Sequence, residues 1–306
     1  MSARWVAGSV RAQAMARRRV GPAGARALAG SASAAEAVRA LAGSPYGAYV
    51  RPDSDLATAQ RGLAETLLWN LRVLAGWLPQ PGAEALRALA GWFEIANVDE
   101  HLRALDGEPA EPPFRLGHLA TAWPRIAAST SPSELRTALA VSPWRDPGGT
   151  EPRDIQLGMR LAWAERVAAR APAAAAWARA AAVLLVAREG PTSGGPLPAV
   201  ATATATRLLG AAAAHAGSLP ELAAAVPARV RWTLDGIDGP AALWTADVRW
   251  WRQIGTDGAT LLARAGFGLD PVIGAAALLA ADARLVRAAL EAAAREGDQE
   301  AFDAMA

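Results

Sequence analysis

Apolar residues recur along this chain at helical spacing and rarely alternate. From Asp55 to Leu78, Leu56, Leu63, Leu67, Leu71, Leu74 and Leu78 follow one another at intervals of three, four and seven. They fall on one stripe and predict an amphipathic helix. "PQPG" at Pro79 breaks it, and a second long helix is predicted from about Ala83 to Leu105. Its apolar face changes sides: Leu86, Leu89 and Phe93 share one face, whereas Ile95, Val98, Leu102 and Leu105 lie nearly opposite. Such a helix either packs between two layers or bends near Glu94. In "LWTADVRWWRQIG", Trp244, Val248, Trp251, Gly255 and Leu262 share a face, with Trp250 and Ile254 beside it. This reads as a core stripe rather than a set of base-stacking aromatics, with Arg249 and Arg252 on the wet side and Gly255 and Gly258 permitting close helix approach.

The chain also repeats itself. "SASAAEAVRALAGSPY" from Ser31 returns as "STSPSELRTALAVSPW" from Ser129. Ser33 with Glu36, and Ser131 with Glu134, have the S-x-x-E spacing of a capping box. In such a box the serine accepts from the third helical N–H, and the glutamate is expected to reach back to the cap N–H. Pro132 suits the first helical position, and Pro45 and Pro143 stop both helices. "SLPELAAAVP" is a fainter third copy, with Ser218 and Glu221 as its box and Pro227 as its stop.

Loops at Asp106, Ser142, Glu189 and Leu234, rich in Pro, Gly and Asp, divide the sequence further. Three helical lobes are expected, at residues 1–128, 129–216 and 217–306. After the loops that begin at Ser44 and Ser142, helices are expected to start at Asp55 and Asp154. The period of ninety to one hundred residues is far longer than that of a HEAT or TPR array. The fold class is all-α.

Composition narrows the chemistry. The chain of 306 residues has no cysteine, so disulfides, thiolate metal sites and a cysteine nucleophile are excluded. All 31 basic residues are arginine, which lifts the pI to about 9.8 although the net charge is only +2. Nucleic acid is therefore not an expected partner. Without lysine there is no phosphate-binding loop of the G-x-x-x-x-G-K-S type. His101, His118 and His215 lack partners at metal-ligand spacing, and "GFGLDP" at Gly266 reads as a turn with Asp270 as cap and Pro271 at the first helical position. The apolar stretch from Pro172 is too short to span a bilayer and contains Arg179, and the residues after Arg17–Arg19 are too weakly apolar for a signal peptide. Asn97 sits where the stripe of Leu86, Leu89 and Phe93 would place an aliphatic side chain, and a helix-to-helix hydrogen bond is expected to satisfy it.

One segment points to a family. After Trp92, residues Phe93, Glu94, Ile95, Ala96, Asn97 and Val98 give an aromatic, an acid, an aliphatic residue, a spacer, asparagine and another aliphatic residue. This resembles the "yDi-x-Nl" helix of the C-type subunits of V-type and A-type ATPases, whose eukaryotic members are called d. The surrounding order is similar too: a first helix with Arg4 and Arg11, the Ser33–Glu36 helix running into Tyr46, and the long amphipathic helix. "GLDPVIGAAALLAADARLVRAAL" looks like the family's final Pro-initiated helices. The resemblance spans nearly the whole chain, letter by letter only in its first third. The acid and asparagine are not expected to repeat, since the later lobes offer Trp177 and Arg179, or Asp282, Arg284 and Arg287, at those places.

The resemblance implies three similar lobes arranged as a funnel, without catalytic residues, cofactor or metal. It implies a coupling role between the proteolipid rotor ring and the central-stalk subunits of a rotary ATPase. The protein would be cytoplasmic, at the inner face of the cell membrane, and would touch the membrane only through its partners. The boxes and the Trp92–Asn97 signature would then be structural. Arg4, Arg11, Arg17 and Arg18 on the wet face of the first helix are the candidate partner contacts. The alternative is a stand-alone helical scaffold.

Overall fold

The computed structural model describes residues 2–193, 195–295 and 298–305. Among them the chain is helical, without a strand, as the apolar periodicity predicts. The helices are α1 (Ala3–Arg17), α2 (Gly21–Ala29), α3 (Ala34–Ala42), α4 (Leu56–Trp77), α5 (Gln80–Leu105), α6 (Trp123–Ile126), α7 (Pro132–Ala140) and α8 (Pro152–Arg170). Then come α9 (Ala175–Glu189), α10 (Ala199–Leu209), α11 (Ala211–Ala214), α12 (Leu219–Ala225), α13 (Leu243–Ala263), α14 (Leu269–Ala294) and α15 (Gln299–Met305). Two compact units are formed: one joins Met1–Ala83 to Trp251–Ala306, and the other is Glu84–Trp250. The expected lobe boundaries at 128/129 and 216/217 both lie within the second unit.

In the first unit α14 is buried on almost every side, with α1, α2, α3, α4 and α15 packed around it. Its many alanines make this possible, because a helix with short side chains lets neighbours approach on all faces. The core of this unit includes Leu28, Val38, Leu41, Leu63, Val286, Leu290 and Phe302. The predicted stripe of α4 turns inward: Leu63, Leu71, Leu74 and Leu78 are buried, and Leu56 and Leu67 lie at its margin. α13 meets α14 through paired glycines. A Cβ on Gly258 would stand 2.9 Å from that of Ala277, and one on Gly274 would stand 2.7 Å from the carbonyl oxygen of Gly258. Gly255 is looser, its nearest neighbour being the Ala281 Cβ at 3.9 Å.

In the second unit α5, from Glu84 onward, is apolar on opposite faces and buried on both. Leu86 and Phe93 are buried, and so are Ile95, Val98 and Leu102. Of the two expected arrangements, packing between layers therefore holds. α8, α9 and α10 pack on one another, and α12 follows α11.

The three capping boxes form. Ser33, Ser131 and Ser218 each accept, through Oγ, from the N–H of Glu36, Glu134 and Glu221, in every case at 3.3 Å. The return bond differs from the expected one. Each glutamate accepts from the residue before the cap: Ala32 at 3.0 Å, Thr130 at 2.8 Å and Gly217 at 2.9 Å. The chain turns sharply enough there for that N–H, rather than the serine's own, to face the carboxylate.

Three further local expectations are corrected. Asp55 caps α4, accepting from Thr58 N–H at 2.7 Å, but Asp154 lies inside the first turn of α8, behind Glu151 and Pro152. Asp270 likewise lies inside α14, whose cap is Gly268, and it accepts from Arg264 at 2.6 Å. On α13 Trp244 is 52% exposed, and the buried positions are Leu243, Ala246, Val248, Ile254, Gly258 and Leu261. Ile254 and Leu261, smaller than tryptophan, flank Gly258 and suit the narrow contact that the glycines allow.

Candidate functional site

Glu94, in the middle of α5, is fully buried. A buried carboxylate needs donors for both oxygens. Its Oε2 accepts from Thr121 N–H at 2.6 Å, and its Oε1 from Ala122 N–H at 2.6 Å and from Trp144 Nε1–H at 3.0 Å. Thr121 and Ala122 immediately precede α6, so the bonds satisfy amides that a helix start leaves open. The Arg166 guanidinium lies 4.5 Å from the Trp144 ring and donates to Thr121 Oγ1 at 2.9 Å. Burial holds the Arg166 guanidinium below its usual pKa, partly offset by the Glu94 charge.

The same joint exists in the first unit. Asp282, buried in α14, accepts from Gly21 N–H at 2.7 Å and Val20 N–H at 3.3 Å, at the start of α2, and from the Tyr46 hydroxyl at 2.8 Å. The parallel extends through the whole repeated stretch. Ser44 Oγ accepts from Tyr46 N–H at 3.2 Å and Ser142 Oγ from Trp144 N–H at 3.1 Å. In each case a serine-proline turn after a boxed helix aims an aromatic donor at a carboxylate on a long helix. That same carboxylate also ties down the short helix before the box. The expectation that the acid does not recur is thus corrected: Asp282 does for α14 what Glu94 does for α5. Sequence order hides the recurrence, because the partner of the first box stands at the other end of the chain.

The remaining signature residues of α5 make separate contacts. Asn97 is buried, but its amide does not reach another helix as expected. Its Nδ2 donates to the carbonyl of Phe114 at 3.0 Å, and its Oδ1 accepts from the Phe114 N–H at 2.6 Å. It clips the loop that follows α5. The Phe93 and Phe114 rings meet edge-on at 5.3 Å, and Ile95 is buried. Trp92 is 49% exposed and stacks edge-on with Trp163 at 5.5 Å. Asp99 is held above the usual carboxylate range by burial, which the Arg160 ion pair at 2.7 Å only partly opposes.

The histidines serve local bonds. His101 Nε2 lies 3.0 Å from Ser129 Oγ, His215 Nδ1 lies 2.9 Å from the carbonyl of Ala211, and the carbonyl of His118 accepts from Arg87. Both joint carboxylates are buried with their oxygens engaged by donors from other elements, which suits holding those elements together.

Arg4, Arg11, Arg17 and Arg18 are all exposed. Arg11 and Arg18, with Arg19, line a groove of about 1010 Å³ in the first unit. α1 forms one wall, with Ala14 and Met15 between the two arginines, and α4 forms the other, with Leu67, Trp69, Asn70 and Trp77. The Arg11 guanidinium lies 4.8 Å from the Trp77 ring. Trp69 and Trp77, 44% and 47% exposed, are surface aromatics that the stripe reading of α4 passes over, although each sits close to the leucine row.

No protein-family model matches the chain, and no curated protein matches it.

Proposed function

We propose that the protein is a non-catalytic central-rotor subunit of a V-type or A-type rotary ATPase, coupling the central stalk to the membrane proteolipid ring during proton or sodium transport. The carrying observation is the recurrence of one carboxylate joint, Glu94 with Trp144 and Asp282 with Tyr46, at the same point of a repeated helical segment. The first of these acids belongs to the segment that resembles the family signature. A coupler transmits torque, so it needs helices locked to one another and has no use for a reactive group. Three lobes related by approximate threefold repetition and arranged as a funnel are part of this proposal, as is a place at the inner face of the cell membrane, reached through partner subunits. No helix among the described residues is long and apolar enough to cross a membrane.

A second reading, a stand-alone helical scaffold, is favoured by α9. Trp177 and Arg179 stand there in place of a third carboxylate. Affinity purification of the tagged protein from detergent-solubilised membranes of its own source, followed by mass spectrometry, separates the two. Proteolipid and central-stalk subunits in the eluate are the result expected for the rotor role. Their absence from cells that express such an ATPase would leave the scaffold.

A further inference from the structure

The groove between α1 and α4 carries an inference that stands apart from any rotary role. Its walls are apolar and aromatic along most of their length, through Ala7, Val10, Ala14, Met15, Leu67 and Trp69. Its charges are one-sided. Arg11, Arg18 and Arg19 face it, and among the described residues the only carboxylate lining it is Asp282, whose oxygens are already taken by Val20, Gly21 and Tyr46. Arg11 and Arg18 form no ion pair among the described residues. They lie seven residues apart, Arg11 within α1 and Arg18 at its C-cap, about 10 Å along the axis. A bilayer surface is flat and would bridge a concave site without filling it, whereas a helix fits the trough between two helices.

We propose that this groove docks an amphipathic helix of a partner protein carrying two carboxylates seven residues apart. Apolar side chains at the third and fourth positions between them would lie against Ala14, Met15 and Trp69. The two carboxylates meet Arg11 and Arg18. The Arg11 guanidinium already rests against the Trp77 ring, which fixes its position and lowers the entropy lost on pairing. Asn70 supplies a hydrogen-bonding side chain to its lining.

The test uses the full chain and a fluorescent helical peptide with Glu at two positions seven apart and Leu and Phe between them. The comparison peptide has the same composition but both glutamates on the opposite face. The first should bind at least about tenfold more tightly by anisotropy, with Arg11→Glu and Arg18→Glu each weakening it about tenfold. A peptide with lysine for both glutamates should recover binding to the doubly reversed protein. All these positions are exposed, so circular dichroism should show unchanged helix content in the variants.

Equal binding of the two peptides would overturn the proposal, as would no binding at about 1 mM peptide. Two further results would also overturn it by naming another occupant. One is sedimentation with anionic phosphatidylserine vesicles that Arg18→Glu abolishes. The other is concentration-dependent dimerisation that the same variant abolishes.

Discussion

The Tyr46 hydroxyl donates to the Asp282 carboxylate at 2.8 Å across 236 residues of sequence. It is one of three donors on a buried acid, and the other two are backbone amides at the start of α2. Tyr46→Phe removes one donor and keeps the ring. Hydrogen bonds to charged groups contribute about 1.5–3 kcal/mol, so urea unfolding should show a loss of that size with an unchanged m-value. Trp144→Phe should act alike on Glu94. Asp282→Asn combined with Tyr46→Phe should cost less than the sum of the two, because both act on the same bond. Strict additivity would show that the joint is not a unit.

The same pair governs the alkaline limb. Burial, and then the Asp282 charge, push the Tyr46 phenol far above the ordinary tyrosine value, with Arg19 acting in the opposite direction. Folding therefore favours the protonated phenol. This contribution is complete below the unfolded value, about 10, and declines as pH rises above it. Tyr46 and Tyr49 are the only 2 tyrosines. In Tyr49→Phe, phenolate absorbance should appear only together with loss of the helical circular dichroism signal. Phenolate forming in a protein that is still helical would contradict the buried joint.

What is legible in the sequence follows the range of the interactions. The caps at Ser33, Ser131 and Ser218 and the leucine stripe of α4 depend on residues three or four apart, and the spacing alone reveals them. Glu94 stands out through a resemblance, yet its donors at Thr121, Ala122 and Trp144 come from a loop and a turn that no local rule connects to α5. Asp282 escapes a local reading because its partners lie at the opposite end of the chain. A signal exists all the same, in the repeat of Ser44-Pro45-Tyr46 as Ser142-Pro143-Trp144 and in Asp282, an acid set in the apolar middle of an alanine-rich helix. Trp244 is misplaced for another reason. A stripe counted from the largest side chains puts Trp244 inward, whereas Leu243, Ala246 and Val248 take the buried positions of that turn; the close approach at Gly258, which the glycines do reveal, holds.

Two glycines of α13, one turn apart, should respond oppositely to the same substitution. Gly255→Ala places a Cβ in ordinary contact, 3.9 Å from Ala281, and should stabilise by up to about 1 kcal/mol through helix propensity. Gly258→Ala drives a Cβ to 2.9 Å from that of Ala277 and 3.2 Å from the Gly274 carbonyl oxygen, which should cost about 1–3 kcal/mol. Thermal unfolding of the two variants tests this, and equal shifts would mean that α13 and α14 do not approach so closely.

The second capping box makes an acid-side prediction. Hydrogen bonds from Thr130 hold the Glu134 carboxyl below the usual glutamate range. A depressed native value means that the contribution is complete above the unfolded value and lost as pH falls through the native one. Glu134→Gln should therefore lie closest to the parent protein in acid and fall behind it toward neutral pH. A constant gap between their pH–stability curves would argue against the box.

Asn97 tests whether the clip on the loop after α5 matters to the whole unit. Its side chain bonds both the N–H and the carbonyl of Phe114, at 2.6 and 3.0 Å, so Asn97→Leu removes both of these bonds from a partly buried loop. Each unsatisfied group costs about 1–3 kcal/mol unless water reaches it. Asn97→Asp keeps the acceptor for the N–H but sets a carboxylate oxygen against the Phe114 carbonyl and buries a charge that has lost half of its pairing, so it should be the more damaging change. Hydrogen exchange should show the Phe114 amide losing protection in Asn97→Leu, and in Asn97→Asp only if the carbonyl-side repulsion lifts the loop away. If the loop simply detaches, Thr121 and Ala122, held separately by Glu94, should keep theirs. Simultaneous loss at all three amides would show that the clip and the joint open together, and that α5 holds the loop and the start of α6 as one element.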